Sequence, residues 1–574
     1  MDRGQDLGDA SDTADVERAI CLSGLDFDGD GVCDREAADW SREASLPERG
    51  DRADIYRLGE NRNAAVTAGI EHMLVWPVDV SGLLIPWRPM ERTLDPTATD
   101  DLTLAYQQIL RGALGFGTTD EMFEWLGLAE HDGSAEAMPG VPWPEWLETG
   151  DAMGFGLVDR PEAEGLTFSC ATCHTADVFG RTVLGASNRQ AQANEFFHNA
   201  AAFFPDVSPE FFGQITGAVD GELELFARAQ QSIGAVATKV PQVRGLDTSL
   251  AQVSLSLARR AEDEFATRSE EFERRPRQND LRDFVADSKP AVWWTVRYKT
   301  RWLSDGSIVS GNPVFTNFLW NEIGRGTDLV ELQQWLEDNR RVSDELTALV
   351  FAVESPRWED WFGVDSIDVS AAQRGHALFE ETCATCHGSY EKGWGAPDAN
   401  QLDDSALIAN VYLDYPRQTL VLDVGTDPQR AAGMAAFAER LNELAISVAA
   451  ETVVEVQEGY VPPPLDGIWI RYPYLHNGSV PTLCDMLLPA SSRTPLFWMG
   501  PSADAETDFD QDCVGFPVGD QIPDSWQEDP RNEYDTSRAG LGSFGHDEWL
   551  TNEDGTPRYS ADERSDLIEF LKTL

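Results

Sequence analysis

Two stretches of the chain, FSCATCHTAD at residues 168–177 and ETCATCHGSY at 381–390, share the five-residue core CATCH, which occurs nowhere else. The pattern C-x-x-C-H is that of covalent haem c attachment. Two thiols add to the vinyl groups of the ring as thioethers, and the histidine that follows ligates the iron. Cys170, Cys173 and His174 form one expected haem site; Cys383, Cys386 and His387 form the other. With eight cysteines and eight histidines in the chain, chance or a redox C-x-x-C makes one such pattern rare and two rarer still. A zinc site needs further Cys or His at ligand spacing beside each box, and none is there.

The elements that must position these boxes are helical. Ser370-Ala-Ala-Gln373 reads as a capping box that opens a helix through Gly375, Leu378 and Phe379 and delivers the chain to Cys383. A second capping box, Ser560-Ala-Asp-Glu563, precedes Leu567, Phe570, Leu571 and Leu574 at helical spacing. A helix running into the box and a last helix packing across it is the cytochrome c arrangement, and Gly375 lets the two backbones approach closely. Residues 101–130 and 220–275 read as helical, residues 138–165 as loops rich in Pro and Gly, and no period-2 strand series stands out. The expected fold is mainly α: an acidic segment over 1–45, a haem domain over 46–345, and a c-type cytochrome domain with extended loops over 346–574.

The remaining histidines, His72, His131, His198, His376, His476 and His546, decide what a haem here can do. Iron held by protein on both faces only passes electrons, whereas an open face binds oxygen or peroxide. His546, in SFGHDEWL before the last helix, is the expected distal ligand of the second haem; the alternatives are a surface histidine there, with Met486 or Met499 as ligand. His476, beside the tight-turn pair Asn477-Gly478, is expected to hydrogen-bond a haem propionate. His198, in the apolar run NEFFHNAAAFF, reads as a core histidine, which leaves the first haem open on one side.

The 574 residues carry 100 acidic against 44 basic groups, a net charge of −56, which argues against a nucleic-acid partner. No apolar run reaches the roughly 20 residues of a bilayer span; HMLVWPVDVSGLLIPW is interrupted by Asp79 and two prolines. Cys21 with Cys33 and Cys484 with Cys513 bracket short loops, so two local disulfides are expected, as in an oxidising compartment. No export signal opens this sequence. In DFDGDGVCD, Asp26, Asp28, Asp30 and Asp34 take positions 1, 3, 5 and 9 of an EF-hand-like loop with Gly31 at the turn. Ala37 stands at position 12 in place of the bidentate glutamate, so the expectation is a structural Ca2+ loop, set against a solvated acidic turn.

PLDGIWIRYPYLHNGSVPTLCDMLLP (464–489), the two boxes and the late Gly545-His546 before LIEFLKTL resemble the dihaem cytochrome c peroxidase superfamily, closest to its rubber oxygenase-like branch. The resemblance is strong from about 370 to 574, patchy over 165–345 and absent before about 50. It implies two covalent haems c, with His387 and His546 on one iron and His174 on the other, whose second face meets the substrate. It also implies an electron relay at Trp293 or Trp294 in KPAVWWTVRYK, and aromatic lining of the oxygen pocket by Phe315 and Phe318. Where the family has Arg-Pro before Leu-Asp-Gly this chain has Pro463-Pro464, and Tyr472 replaces a smaller residue, which leaves Arg471 to make the missing haem contact. The resemblance implies an exported oxidoreductase, periplasmic or secreted. It would activate O2 to cleave a polyisoprene-like organic substrate or, alternatively, reduce hydrogen peroxide with a small electron-donor protein. A dihaem electron carrier without catalysis is the third reading.

Overall fold

The computed structural model describes Leu25, Ala38 and residues 51–95, 101–277 and 280–574. The acidic loop residues Asp26, Asp28, Asp30 and Asp34, and the expected Cys21–Cys33 pair, lie outside the described residues. Helix dominates. The stretch 101–130 forms two helices, Asp101–Leu114 and Thr119–Leu126, because Gly115 takes φ 89° and Thr118 caps the second by accepting from Glu121 N. The stretch 220–275 breaks into Asp220–Ile233, Ser249–Leu257 and Glu270–Arg274.

Strands surround the first box. In β1 (Ile85–Pro86), β2 (Phe155–Asp159) and β3 (Glu164–Phe168) the spatial order is β1-β3-β2, with β2 and β3 antiparallel from Phe155 opposite Phe168 to Asp159 opposite Glu164. After the box, β4 (Thr175–Val178) and β5 (Arg181–Leu184) form a second antiparallel hairpin. These strands were not expected from the sequence. They are two to five residues long, and β3 is buried along four consecutive residues, so alternation is not written into it.

Further helices are α1 (Arg62–Leu74), α2 (Ser249–Leu257), α3 (Pro313–Gly324), α4 (Arg340–Ala352), α5 (Val369–Thr382) and α6 (Ala561–Lys572). The boundary expected between residues 345 and 346 falls inside α4, which packs on α1. A single apolar cluster joins Val66 of α1, Trp294, Leu349 of α4, Phe379 of α5, Trp469 and Phe570 of α6. A second, rich in phenylalanine, gathers Phe168, Phe196, Phe197, Phe204, Phe212 and Phe226. Among the described residues no helix is long and apolar enough to cross a membrane.

Helix α5 starts earlier than expected. Its cap is Asp368, whose carboxylate accepts from Ala371 N at 3.0 Å, and not Ser370; an aspartate two residues upstream serves the same orphan amides. The capping box of α6 forms as read: Ser560 Oγ accepts from Glu563 N at 3.3 Å and Glu563 Oε2 accepts from Ser560 N at 2.8 Å. Helices α5 and α6 pack so closely at Gly375 that a Cβ there would lie 1.9 Å from Asp566 O.

Candidate haem-binding site

The first box is a single helical turn, Ala171–His174, held between the two hairpins. Gly154, just before β2, passes so near that a Cβ would meet Thr172 N at 2.4 Å, and Asn188 Nδ2 donates to Thr172 O at 2.9 Å. The second box is the turn Ala384–His387, delivered by α5 and followed by a hairpin of β6 (Ser389–Lys392) and β7 (Asn410–Asp414).

Both box histidines are oriented in the same way. His174 Nδ1 pairs with Ala291 O at 2.9 Å, and His387 Nδ1 pairs with Pro463 O at 2.7 Å. A carbonyl can only accept, so Nδ1 carries the proton in each ring and Nε2 keeps its lone pair for a metal, the usual anchoring of a ligating histidine. Burial pulls both imidazoles down to about 4, so they are neutral at pH 7. Both rings are half-buried.

His546 stands opposite His387, their ring centres 6.4 Å apart and their planes 14° from parallel. Two metal–imidazole bonds of about 2 Å, each continued by about 1 Å from nitrogen to ring centre, span about 6 Å. The pair therefore fits one iron between two imidazoles. His546 is held there by its own backbone, with φ 65° and its N–H donated to Val424 O at 2.8 Å, while Arg493 donates to the carbonyls of Ser543 and Gly545 on either side of Phe544. Its buried Nδ1 has no hydrogen-bond partner among the described residues. Burial, with the charges of His387 and Arg493, pulls it down to about 3.

The thiols fit the same chemistry. Cys170, Cys173, Cys383 and Cys386 are unpaired, whereas Cys484 and Cys513 are joined as a disulfide. Burial raises the Cys170 thiol to about 11 and the Cys383 thiol to about 12, unlike a thiolate poised for redox exchange or zinc. Among the described residues no group of three His, Cys, Asp or Glu gathers as a direct metal cage.

Trp293 lies against His174, ring centres 5.1 Å apart, and its backbone N–H donates to Gly185 O. Trp294 is buried, and its Nε1 donates to Asp466 O at 2.8 Å. A continuous bonded route therefore connects the two box histidines: His174 to Ala291 O, along the chain to Trp294, across to Asp466 O, and back to Pro463 O and His387. The two carbonyl anchors were invisible in the sequence, because any residue type supplies a carbonyl.

The other expected residues divide. Phe318 is buried against Trp76, 5.3 Å away, and Trp335, while Phe315 is half-buried one turn earlier on α3. The His476 ring stacks on Tyr460 at 3.8 Å, and burial with the charges of Arg430 and Lys289 pulls it down to about 3. His198, read as a core histidine, is exposed on the helix Ala193–Phe203, because the apolar residues around it occupy the other face. His72 pairs with Glu345 at 2.8 Å and His376 stacks on Phe570.

Residues 459–499 match a family model described as RoxA-like, cytochrome c-like. This segment is cytochrome c-like. It contains the Pro463 carbonyl that orients His387, the Asp466 carbonyl that holds Trp294, and Arg471. Two curated relatives, both from Sinorhizobium fredii (strain NBRC 101917 / NGR234), carry the printed names "Uncharacterized protein y4iJ" and "Uncharacterized protein y4iM". The first is 29% identical over 259 residues, 38% of this chain and 41% of the relative. The second is 31% identical over 232 residues, 36% of this chain and 49% of the relative. The chain thus spans less than half the length of either. The cytochrome c-like segment points to covalent haem c and to a haem oxidoreductase.

Proposed function

We propose that the chain is an exported dihaem c-type oxidoreductase of the rubber oxygenase-like kind. Its C-terminal haem would store and pass electrons, and its N-terminal haem would meet O2 or peroxide. The observation that carries this reading is the difference between the boxes. His387 faces His546 at 6.4 Å, while among the described residues no second imidazole stands opposite His174 at such spacing.

Cys170, Cys173 and His174 hold one haem; Cys383, Cys386, His387 and His546 hold the other. Bound haem supplies iron that exchanges electrons and, where a face is open, takes up a small oxidant. The chain's own residues do the rest. The carbonyls of Ala291 and Pro463 keep a proton on each Nδ1 and so keep each Nε2 available. Trp294, fixed by Asp466 O, lies on the bonded route between the sites, and Trp293 shields the His174 ring. The Cys484–Cys513 disulfide supports an oxidising, periplasmic or secreted location. The substrate would be a polyisoprene-like organic molecule.

Protein from a host competent in cytochrome c assembly tests this directly. It should carry two haems per chain and show one low-spin centre that ignores added ligands and one that responds to them. Oxygen-dependent cleavage of polyisoprene is the expected activity; peroxide turnover with reduced cytochrome c in its place would move the chain to the peroxidase reading. Two centres that both refuse every external ligand would make it an electron carrier.

A further inference from the structure

The carbonyls of Ala291 and Pro463 anchor the two box histidines, and the chain that follows each of them builds the same loop. Trp294 and Asp466 hold matching places after those carbonyls, 172 positions apart, and Trp302 matches Tyr474 at the same separation. The loops are WLSDGSI (302–308) and YLHNGSV (474–480). They close alike: Trp302 N donates to Ile308 O at 3.0 Å, and Tyr474 N to Val480 O at 2.6 Å. The leucine is left-handed in both, Leu303 at φ 68° and Leu475 at φ 67°, and so is the glycine, Gly306 at φ 66° and Gly478 at φ 75°. Asp305 Oδ1 accepts from Ser307 N at 3.2 Å, and Asn477 Oδ1 from Ser479 N at 3.2 Å. Both of these side chains are fully buried.

The fourth residue separates the two loops. A backbone N–H can only donate, so the Asn477 atom that faces Ser479 N is oxygen and the other is the NH2 group. That group donates to Gly540 O at 3.0 Å and to Gly542 O at 3.1 Å. Both carbonyls lie on the approach to His546, which over 541–546 is neither helix nor strand. Without a ladder of its own, such a segment is held by whatever side chains satisfy its backbone. Arg493 takes two more of its carbonyls, those of Ser543 and Gly545. A carboxylate only accepts, so Asp305 can hold no carbonyl in this way. Its Oδ2 forms an ion pair with Arg430 Nη1 at 2.7 Å.

We infer that Asn477 is the positioning residue that keeps His546 on the second iron, and that asparagine here against aspartate at 305 decides which of two matching loops can hold a distal ligand. The amide works from a fully buried site, where water does not compete for its donors. Tyr534 fixes the loop from behind, its hydroxyl donating to Asn477 O at 2.9 Å, so the amide meets the His546 segment from a fixed base. This rests on the dihaem reading above.

The test uses the intact haem-loaded protein and reads carbon monoxide binding at each reduced centre, with haem content as the control. Asn477→Asp keeps the size of the side chain and the acceptor for Ser479 N but removes both donors to the His546 segment. Carbon monoxide reaches the second centre only while His546 is away, so its binding rate follows the open fraction. Loss of the two hydrogen bonds should raise that rate roughly tenfold. The first centre, already open, should bind at the wild-type rate, and pyridine haemochrome should still count two haems per chain. A residue that served stability alone would lower the thermal midpoint and leave the rate at the second centre unchanged. Should Asn477→Asp fail to fold, Asn477→Ala decides, since it buries no charge; it should raise the rate several-fold. An unchanged rate at the second centre of a folded variant with both haems would overturn the inference, and so would an equal rise at both centres. Colourless wild-type protein, or a wild-type second centre that binds carbon monoxide as readily as the first, would instead remove the dihaem reading itself.

Discussion

The first CATCH box lies between two antiparallel hairpins, and the second between a pair of closely packed helices and the loop that ends at His546. The five residues are the same, and so is the anchoring of each histidine to a backbone carbonyl. What differs is the other side. His387 meets a second imidazole held by a left-handed backbone at His546, whereas His174 has a tryptophan beside it. An identical motif therefore specifies attachment, and the surroundings specify whether the metal can meet anything else.

The most drastic way to break this comparison is to remove one attachment. Cys383→Ala with Cys386→Ala should reduce haem from two per chain to one, leaving the ligand-responsive centre visible by absorption spectroscopy. Equal loss at both boxes would show that the two sites do not load independently.

His546→Ala should next make the sites alike. The second centre, now with one imidazole, should turn high-spin and bind cyanide or carbon monoxide, while haem content stays at two. Persistence of a fully low-spin second centre would mean that another side chain ligates it.

The helix pair sharpens the difference in framework. Gly375→Ala places a Cβ on Asp566 O, and overpacking of this kind costs about 1–3 kcal/mol. The thermal midpoint should fall accordingly, with the spectrum of the second haem perturbed before that of the first.

Smallest in stability, but informative, is Trp294→Phe. It deletes the hydrogen bond to Asp466 O, a loss of about 1 kcal/mol, and should slow electron equilibration between the haems in stopped-flow reduction. Trp293→Phe keeps the bonded route and should leave that rate nearly unchanged, an outcome that would separate the two tryptophans.

Some of this was legible in residue types. The boxes, His546 ahead of the last helix, the Ser560 capping box and the Gly375 approach all depend on chemistry or size that one residue announces. Other features were not. The strands flanking the first box are short, and β3 is buried along four consecutive residues, so no alternation stands out, and the helix into the second box is capped by Asp368, which competes with Ser370 for the same role. His198 sits in an apolar run yet is exposed, since a run says nothing about which face is turned outward.

The sequence by itself determined that two histidines follow two pairs of cysteines, because covalent attachment demands those atoms at that local spacing. Only the tertiary structure decided that Ala291 and Pro463 orient them and that Trp294 and Asp466 connect them. Those relations join residues more than a hundred positions apart or use backbone carbonyls, and neither distance across the fold nor a carbonyl leaves a mark in the order of side chains.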